Sequence, residues 1–271
     1  MNFINFICTI IMTSSLVYAT PLVQTISYKP PKSSKKSNFY VIAPKSENDI
    51  IPIPTKEVIP VLYTNSVPLS SLSIKKKKES FINILLPSIL LAKYKIELEK
   101  KKLLQLSKKK RLEERDIQWL KKKLDLYNVK NYVELYFAMN THPNSIIIAQ
   151  AIVESGWGTS KFFQKANNIF GVWSFDTQDK RMVANKKRGK KSVYLKRYKS
   201  LAESVDDYFL NLSKNTNYKT FREKRLETQN PFTLVNYLEK YSERGKAYIE
   251  DIKEIIRSNN LEKYDHYTLA F

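Results

Sequence analysis

The sequence predicts a mainly α domain over residues 110–271, carrying one small β-hairpin lobe, behind an extended basic region. Three observations lead there. Apolar residues recur at helical spacing through most segments after Leu112. One weakly alternating stretch, residues 181–198, breaks around Gly189 as a hairpin does. Upstream, residues 20–73 are rich in Pro, Ser, Lys and Thr and lack helical periodicity, so that segment is expected to be a linker, extended or disordered.

The chain has 271 residues, 42% of them hydrophobic, enough for one medium domain with a core plus an extended region. Residues 1–19, MNFINFICTIIMTSSLVYA, hold no charged side chain and end on Val17-Tyr18-Ala19, which reads as a cleaved export signal. An uncleaved anchor is the second reading, and the apolar run is short for one. The expected location is therefore outside the cytoplasm, in the periplasm, the cell envelope or the medium. Cys8 is the single cysteine and lies in this segment, so disulfides, a cysteine nucleophile and a thiolate metal site are not expected in the mature chain. With only His142 and His266, no histidine-rich metal site is expected either, nor any cofactor, since no Gly-rich phosphate loop occurs.

Residues 74–109 read as a basic helical segment. Lysine runs at 75–78, 100–102 and 108–110 enclose apolar pieces such as Ile82, Leu85, Ile89 and Leu103. The formal net charge is +21 and does not change if residues 1–19 are removed. Such a field concentrates a protein on polyanions. Anionic lipid or wall polymers are the expected partners; nucleic acid is not, because the aromatic residues lie away from the lysine runs and no binding motif is present. The alternative is a solvated lysine face with no partner.

Within the domain, Ile117, Leu120, Leu124 and Tyr127 predict a helix over 112–127, and Val133 and Phe137 a short one over 131–139. His142 falls in the break that follows and reads as an exposed loop histidine. Pro143 and Asn144 then open the helix on which the chain turns. Ile147, Ile148, Ala151 and Ile152 mark its buried face, and Glu154 projects from the edge of that face. A carboxylate there is partly desolvated, which raises its pKa and suits a general acid. Gly156 and Gly158 let the backbone turn sharply past Trp157. Downstream, Ser200 and Glu203 form a capping box before Leu201, Val205, Tyr208 and Leu212, so Glu203 is read as a cap and not as a catalytic base. Pro231 opens a further helix, and Tyr248, Ile252, Ile255 and Ile256 form the apolar stripe of the last one.

The run AQAIVESGWGTSKF at 149–162, followed by NNIFGVWSF at 167–175, resembles the signature of bacterial glucosaminidase-domain proteins that cleave peptidoglycan. It is closest in kind to their Bax-type branch and to glycoside hydrolase family 73. The resemblance covers about residues 111–271 and implies a lysozyme-like helical fold, a 110–271 catalytic domain, and Glu154 as the catalytic acid. It further implies that Asn168, Phe170 and Trp173 line the glycan groove and that Tyr218 reaches it. Trp157 is either a groove residue or a wedge under the catalytic helix. The chain departs from the family where the hairpin lobe should carry a second acid: Tyr194 occupies that place, and no Asp or Glu lies between Arg181 and Lys199.

Three routes stay open in its absence. The substrate's own 2-acetamido oxygen could attack the anomeric carbon, which is the preferred reading; Asp176 or Asp179 could approach from the start of the lobe; or the protein could be weakly active or inactive. The expected activity is hydrolysis of β-1,4 bonds after N-acetylglucosamine in peptidoglycan by a monomer. A lytic transglycosylase, a non-catalytic wall-binding protein and a polycationic membrane-active or nucleic-acid-binding protein are the alternatives.

Overall fold

The computed structural model describes residues 39–188 and 191–271, with the side chains of 185–192 left aside. The expected export signal with Cys8, the first third of the expected linker, and Gly189 at the hairpin turn lie outside the described residues.

In chain order the elements are β1 (Tyr40–Ile42), β2 (Glu57–Val58), β3 (Val61–Tyr63), α1 (Ile74–Ser107), α2 (Glu114–Tyr127), α3 (Tyr132–Ala138), α4 (Asn144–Ser155), α5 (Lys161–Ala166), β4 (Arg181–Arg188), β5 (Lys191–Lys196), α6 (Leu201–Lys214), α7 (Lys219–Glu227), α8 (Pro231–Val235), α9 (Lys246–Ser258) and β6 (Thr268–Leu269). The fold is mainly α with one antiparallel hairpin, β4 and β5, in which Val183 faces Tyr194. This is the fold class the sequence predicts.

Local chemistry accounts for the helix ends. Asn131, Ser160, Ser200 and Asn230 each accept a backbone N–H of the first turn of α3, α5, α6 and α8. At Ser200 the capping box takes a variant form, since Glu203 reaches back to the Lys199 N–H. Helix α2 ends on Asn128 in the left-handed conformation, as C-terminal caps do.

Residues 39–73 differ from the expected linker. Strand β1 pairs in parallel with β3, and β2 pairs in parallel with β6 at the far end of the chain. Val58, Val61, Tyr63, Val67 and Leu69 are all buried in the main core. The Tyr63 hydroxyl accepts the Ile51 N–H at 2.9 Å, and Ser66 donates to the Phe163 carbonyl at 3.1 Å. The prolines keep this strap extended without helical periodicity, and its sparse apolar residues suffice because each fills a site on the helical body.

Residues 74–109 differ as well. They form one 34-residue helix, about 51 Å long at 1.5 Å per residue, which runs through the core instead of preceding it. Its middle, from Phe81 to Leu90, is buried on nearly every side, which is why the segment lacks a clean amphipathic stripe. Helix α1 packs on α6, α4 and β3. Some of the lysines around it are paired: Lys95 of α1 meets Asp206 at 2.6 Å, Lys109 just past its end meets Asp116 at 2.6 Å, and Lys123 of α2 meets Glu99 of α1. The folded unit therefore reaches back at least to residue 39 and does not start at 110.

Candidate active site

Helix α4 is the most deeply buried helix of the site. Ile146 to Ile152 are all inaccessible, and the Asp265 carboxylate caps its start through the Ser145 N–H and hydroxyl at 2.7 and 2.8 Å. At its other end the Gly156 N–H donates to Ile152 O at 2.9 Å, and the Ser155 hydroxyl, donating to Ala151 O, accepts the Gly158 N–H at 3.0 Å. Gly156, Trp157 and Gly158 all have positive φ, 59°, 58° and 76°. This left-handed run ends the helix one residue after Ser155 and leaves Glu154 in the last turn, half-buried at the domain surface.

Burial pushes the Glu154 carboxyl above its ordinary range, and the Tyr248 hydroxyl, which donates to Oε1 at 3.4 Å, draws it partly back. The negative end of the α4 dipole acts in the same direction as burial. Tyr248 belongs to a stack of phenols: Tyr241 lies parallel to it at 5.7 Å, and Tyr218 and Tyr208 each lie 6.2 Å from Tyr241. Glu154 thus stands on an aromatic floor, with its carboxylate as the charged group presented there.

The groove residues expected from the sequence divide into two groups. Asn168 is buried and spends its amide on the backbone, donating to Val172 O and Lys196 O and accepting the Val172 N–H, each at 2.9 Å. It ties the loop after α5 to the hairpin and is not free for a sugar. Phe170 is also buried, stacked on Tyr208 at 4.4 Å, and belongs to the core. The Trp157 ring meets Phe81 edge-on at 5.6 Å beneath the Lys78 ammonium, the wedge position between α4 and α1. Tyr218 is buried within the phenol stack.

The hairpin lobe presents the others. Trp173 bridges to Leu195 beside β5 and remains 39% exposed, and Phe175, 86% exposed, lies 6.1 Å from it. The Arg181 guanidinium covers the Tyr194 ring at 4.1 Å.

What shifts the Glu154 carboxyl is its burial and the Tyr248 hydroxyl. Asp176 is exposed and folded onto its own turn, accepting the Gln178 N–H. Asp179 accepts the Ser174 hydroxyl at 3.0 Å and lines a cleft of about 360 Å³ between α1, α2, α6 and the foot of the hairpin, which Glu154 does not line. Among the described residues no cluster of His, Cys, Asp and Glu suited to a metal ion occurs.

Several site residues escaped the sequence reading. Tyr248 reads as part of the apolar stripe of the last helix, and Tyr241 is not singled out. His142 reads as an exposed loop residue but is buried, with its Nε2 2.9 Å from the Tyr208 hydroxyl. Phe175 gave no sign of its exposure. One signal was present: Gln150, a polar side chain in the middle of an otherwise apolar helix, has to find partners.

A mainly α body with a desolvated carboxyl in the last turn of a buried helix, and a hairpin lobe that exposes Trp173 and Phe175, is what the fold and the site define. Residues 129–261 match the glucosaminidase family, described as mannosyl-glycoprotein endo-beta-N-acetylglucosaminidase. It is 31% identical over 112 residues to protein bax of Escherichia coli K12, covering 39% of each chain. It is likewise 31% identical over 128 residues to the exo-glucosaminidase LytG of Bacillus subtilis 168, covering 45% of each. The chain thus spans less than half the length of these curated relatives. Among solved structures it resembles the catalytic domain of the autolysin Auto from Listeria monocytogenes, with a TM-score of 0.45 and 19% identity over 72% of this chain and 92% of that one.

Proposed function

We propose that the chain is a peptidoglycan hydrolase that cleaves β-1,4 glycosidic bonds after N-acetylglucosamine, with Glu154 as general acid. The observation that carries this reading is a carboxyl group whose ionisation is opposed by burial, held in the last turn of α4 over a floor of phenols. The match of residues 129–261 to the glucosaminidase family supports the sugar specificity.

In the proposed reaction the glycan lies along the hairpin lobe, where Trp173 and Phe175 offer apolar faces for pyranose rings. Glu154 gives its proton to the leaving glycosidic oxygen as the bond to the anomeric carbon breaks. The substrate's acetamido oxygen attacks that carbon, and the resulting cyclic intermediate is opened by water, which the Glu154 carboxylate deprotonates. This substrate-assisted course is supported by the hairpin, which carries no Asp or Glu between Arg181 and Lys199 to serve as a second acid.

The same observation favours a second reading, lytic transglycosylation, in which Glu154 alone serves as acid and then base and the product carries an anhydro ring. Digestion of purified peptidoglycan by the wild-type chain and by Glu154→Gln, with mass spectrometry of the fragments, tests both. New reducing N-acetylglucosamine ends from the wild type, reduced about 10²- to 10⁴-fold in the variant, are expected. Anhydro ends would favour the second reading, and equal release by both proteins would end both.

The exposed lysines of the α1 and α2 ends are proposed to hold the protein on anionic lipid or wall polymers at the cell envelope after export.

A further inference from the structure

A single line of hydrogen bonds crosses the core and ends on Glu154. His142 Nε2 lies 2.9 Å from the Tyr208 hydroxyl, Tyr208 donates to Gln150 Oε1 at 2.6 Å, Gln150 Nε2 donates to the Tyr248 hydroxyl at 3.0 Å, and Tyr248 donates to Glu154 Oε1 at 3.4 Å. The contributors come from four places in the fold: the loop before α4, α6, α4 itself and α9.

The directions agree along the whole line. Because the Tyr208 proton goes to Gln150, the Tyr208 oxygen must accept from His142, which requires the tautomer protonated on Nε2. Consistent with that tautomer, His142 Nδ1 is buried without a donor facing it. His142, Gln150, Tyr208 and Tyr248 are all essentially inaccessible, at 1%, 0%, 1% and 1% exposure. Packing alone would have filled these places with Leu and Phe at lower desolvation cost, since each buried polar group must be satisfied.

We propose that His142, Tyr208, Gln150 and Tyr248 are positioning residues for Glu154, a buried chain of donors that orients its carboxylate and stabilises the ionised form. Aligned donors polarise one another, so the final Tyr248 hydroxyl is a stronger donor than an isolated phenol. The proposal rests on Glu154 being the catalytic acid. It explains how one carboxylate serves two steps: burial keeps the proton available for the leaving oxygen, and the chain makes the anion left behind tolerable until water arrives.

The groups bearing on the two ends are few. Among the described residues Tyr248 and Tyr241 face Glu154, with Tyr218 behind them. At the far end the cations Arg225 of α7 and Lys93 of α1 face His142 and, with burial, hold its imidazole neutral.

The test is a ¹³C NMR titration of the Glu154 carboxyl in the substrate-free full chain, assigned by its loss in Glu154→Gln, for the wild type, Tyr208→Phe, His142→Leu and His142→Gln. Cutting the chain two bonds away from Glu154 in Tyr208→Phe, or at its origin in His142→Leu, is expected to move the midpoint up by about half a pH unit. The alkaline limb of kcat/KM should move with it. His142→Gln, whose amide can again donate to Tyr208, is expected to restore the wild-type midpoint. An unchanged midpoint in a Tyr208→Phe protein that melts like the wild type would overturn the proposal; should that variant not fold, an equal midpoint for His142→Leu and the wild type would do so. Activity retained by Glu154→Gln would instead remove the catalytic reading, and the titration, made without substrate, would still decide the chain.

Discussion

Burial works against the charged forms of both Glu154 and His142, and through Glu154 it links stability to pH. For Glu154 the folded carboxyl titrates above its ordinary range because of burial. Its contribution to stability is therefore complete below the unfolded value of about 4.3 and is lost as pH rises through the folded value. Glu154→Gln is accordingly expected to melt higher than the wild type at pH 7 and level with it near pH 3.5, as read by thermal denaturation followed by circular dichroism. A variant that gains thermal stability as it loses activity is the mark of a site built for chemistry and not for packing. A Tm unchanged at pH 7 would argue that the carboxylate is well solvated. At this scale the proposed acid was visible in the sequence, because an apolar face with a carboxylate at its edge is a local pattern. Its partners were not. Tyr248 lies 94 positions away and Tyr208 acts through Gln150, distances that no helical period spans.

At the scale of elements, the turn after α4 fixes where Glu154 stands. Gly158 has φ 76°, and a Cβ there would come within 3.0 Å of Phe163 and Phe81 and 3.3 Å of Leu69. Three elements close on that one position: α5, α1 and the strap that follows β3. Gly158→Ala is expected to destabilise the fold by roughly 2–4 kcal/mol, from overpacking together with left-handed backbone strain. Urea denaturation measures it, and a loss below about 1 kcal/mol would mean that the neighbouring rings give way easily. The two glycines of this turn were legible from the sequence as a sharp turn, but what presses on them was not. Asn168 carries the same lesson in reverse: its amide looked suited to a sugar, and the fold spends all of it on the Val172 and Lys196 backbone.

The whole molecule is held together by its first described residues as much as by its last. Strand β2 is bonded to β6, and α1 fills the centre of the core. A chain begun at residue 110 would lose Phe81, Leu85, Leu86 and Ile89, all inaccessible, and would uncover the apolar faces of α4 and α6. It is expected to be insoluble or to lack a cooperative melt. A cooperative transition in the shorter chain would refute this account of the core. Charge also acts at this scale. Binding to anionic wall polymer should weaken steeply as salt rises from about 0.05 to 0.5 M, because screening shortens to a few ångströms. Cleavage of short neutral glycan fragments should be much less affected, and co-sedimentation alongside product release separates the two.

Taken alone, the sequence determined the mainly α class, the hairpin lobe, most helix starts and the position of Glu154 in its helix. All of these follow from periodicity, capping and turn residues, which act over a few positions. Tertiary structure alone decided that residues 39–107 belong to the folded body, that Asn168 and Phe170 are internal, and that His142 is buried at the end of a line of donors reaching Glu154. These depend on which surfaces meet across the fold, since burial and hydrogen-bond partnership are properties of neighbours in space and leave little trace in the order of residues along the chain.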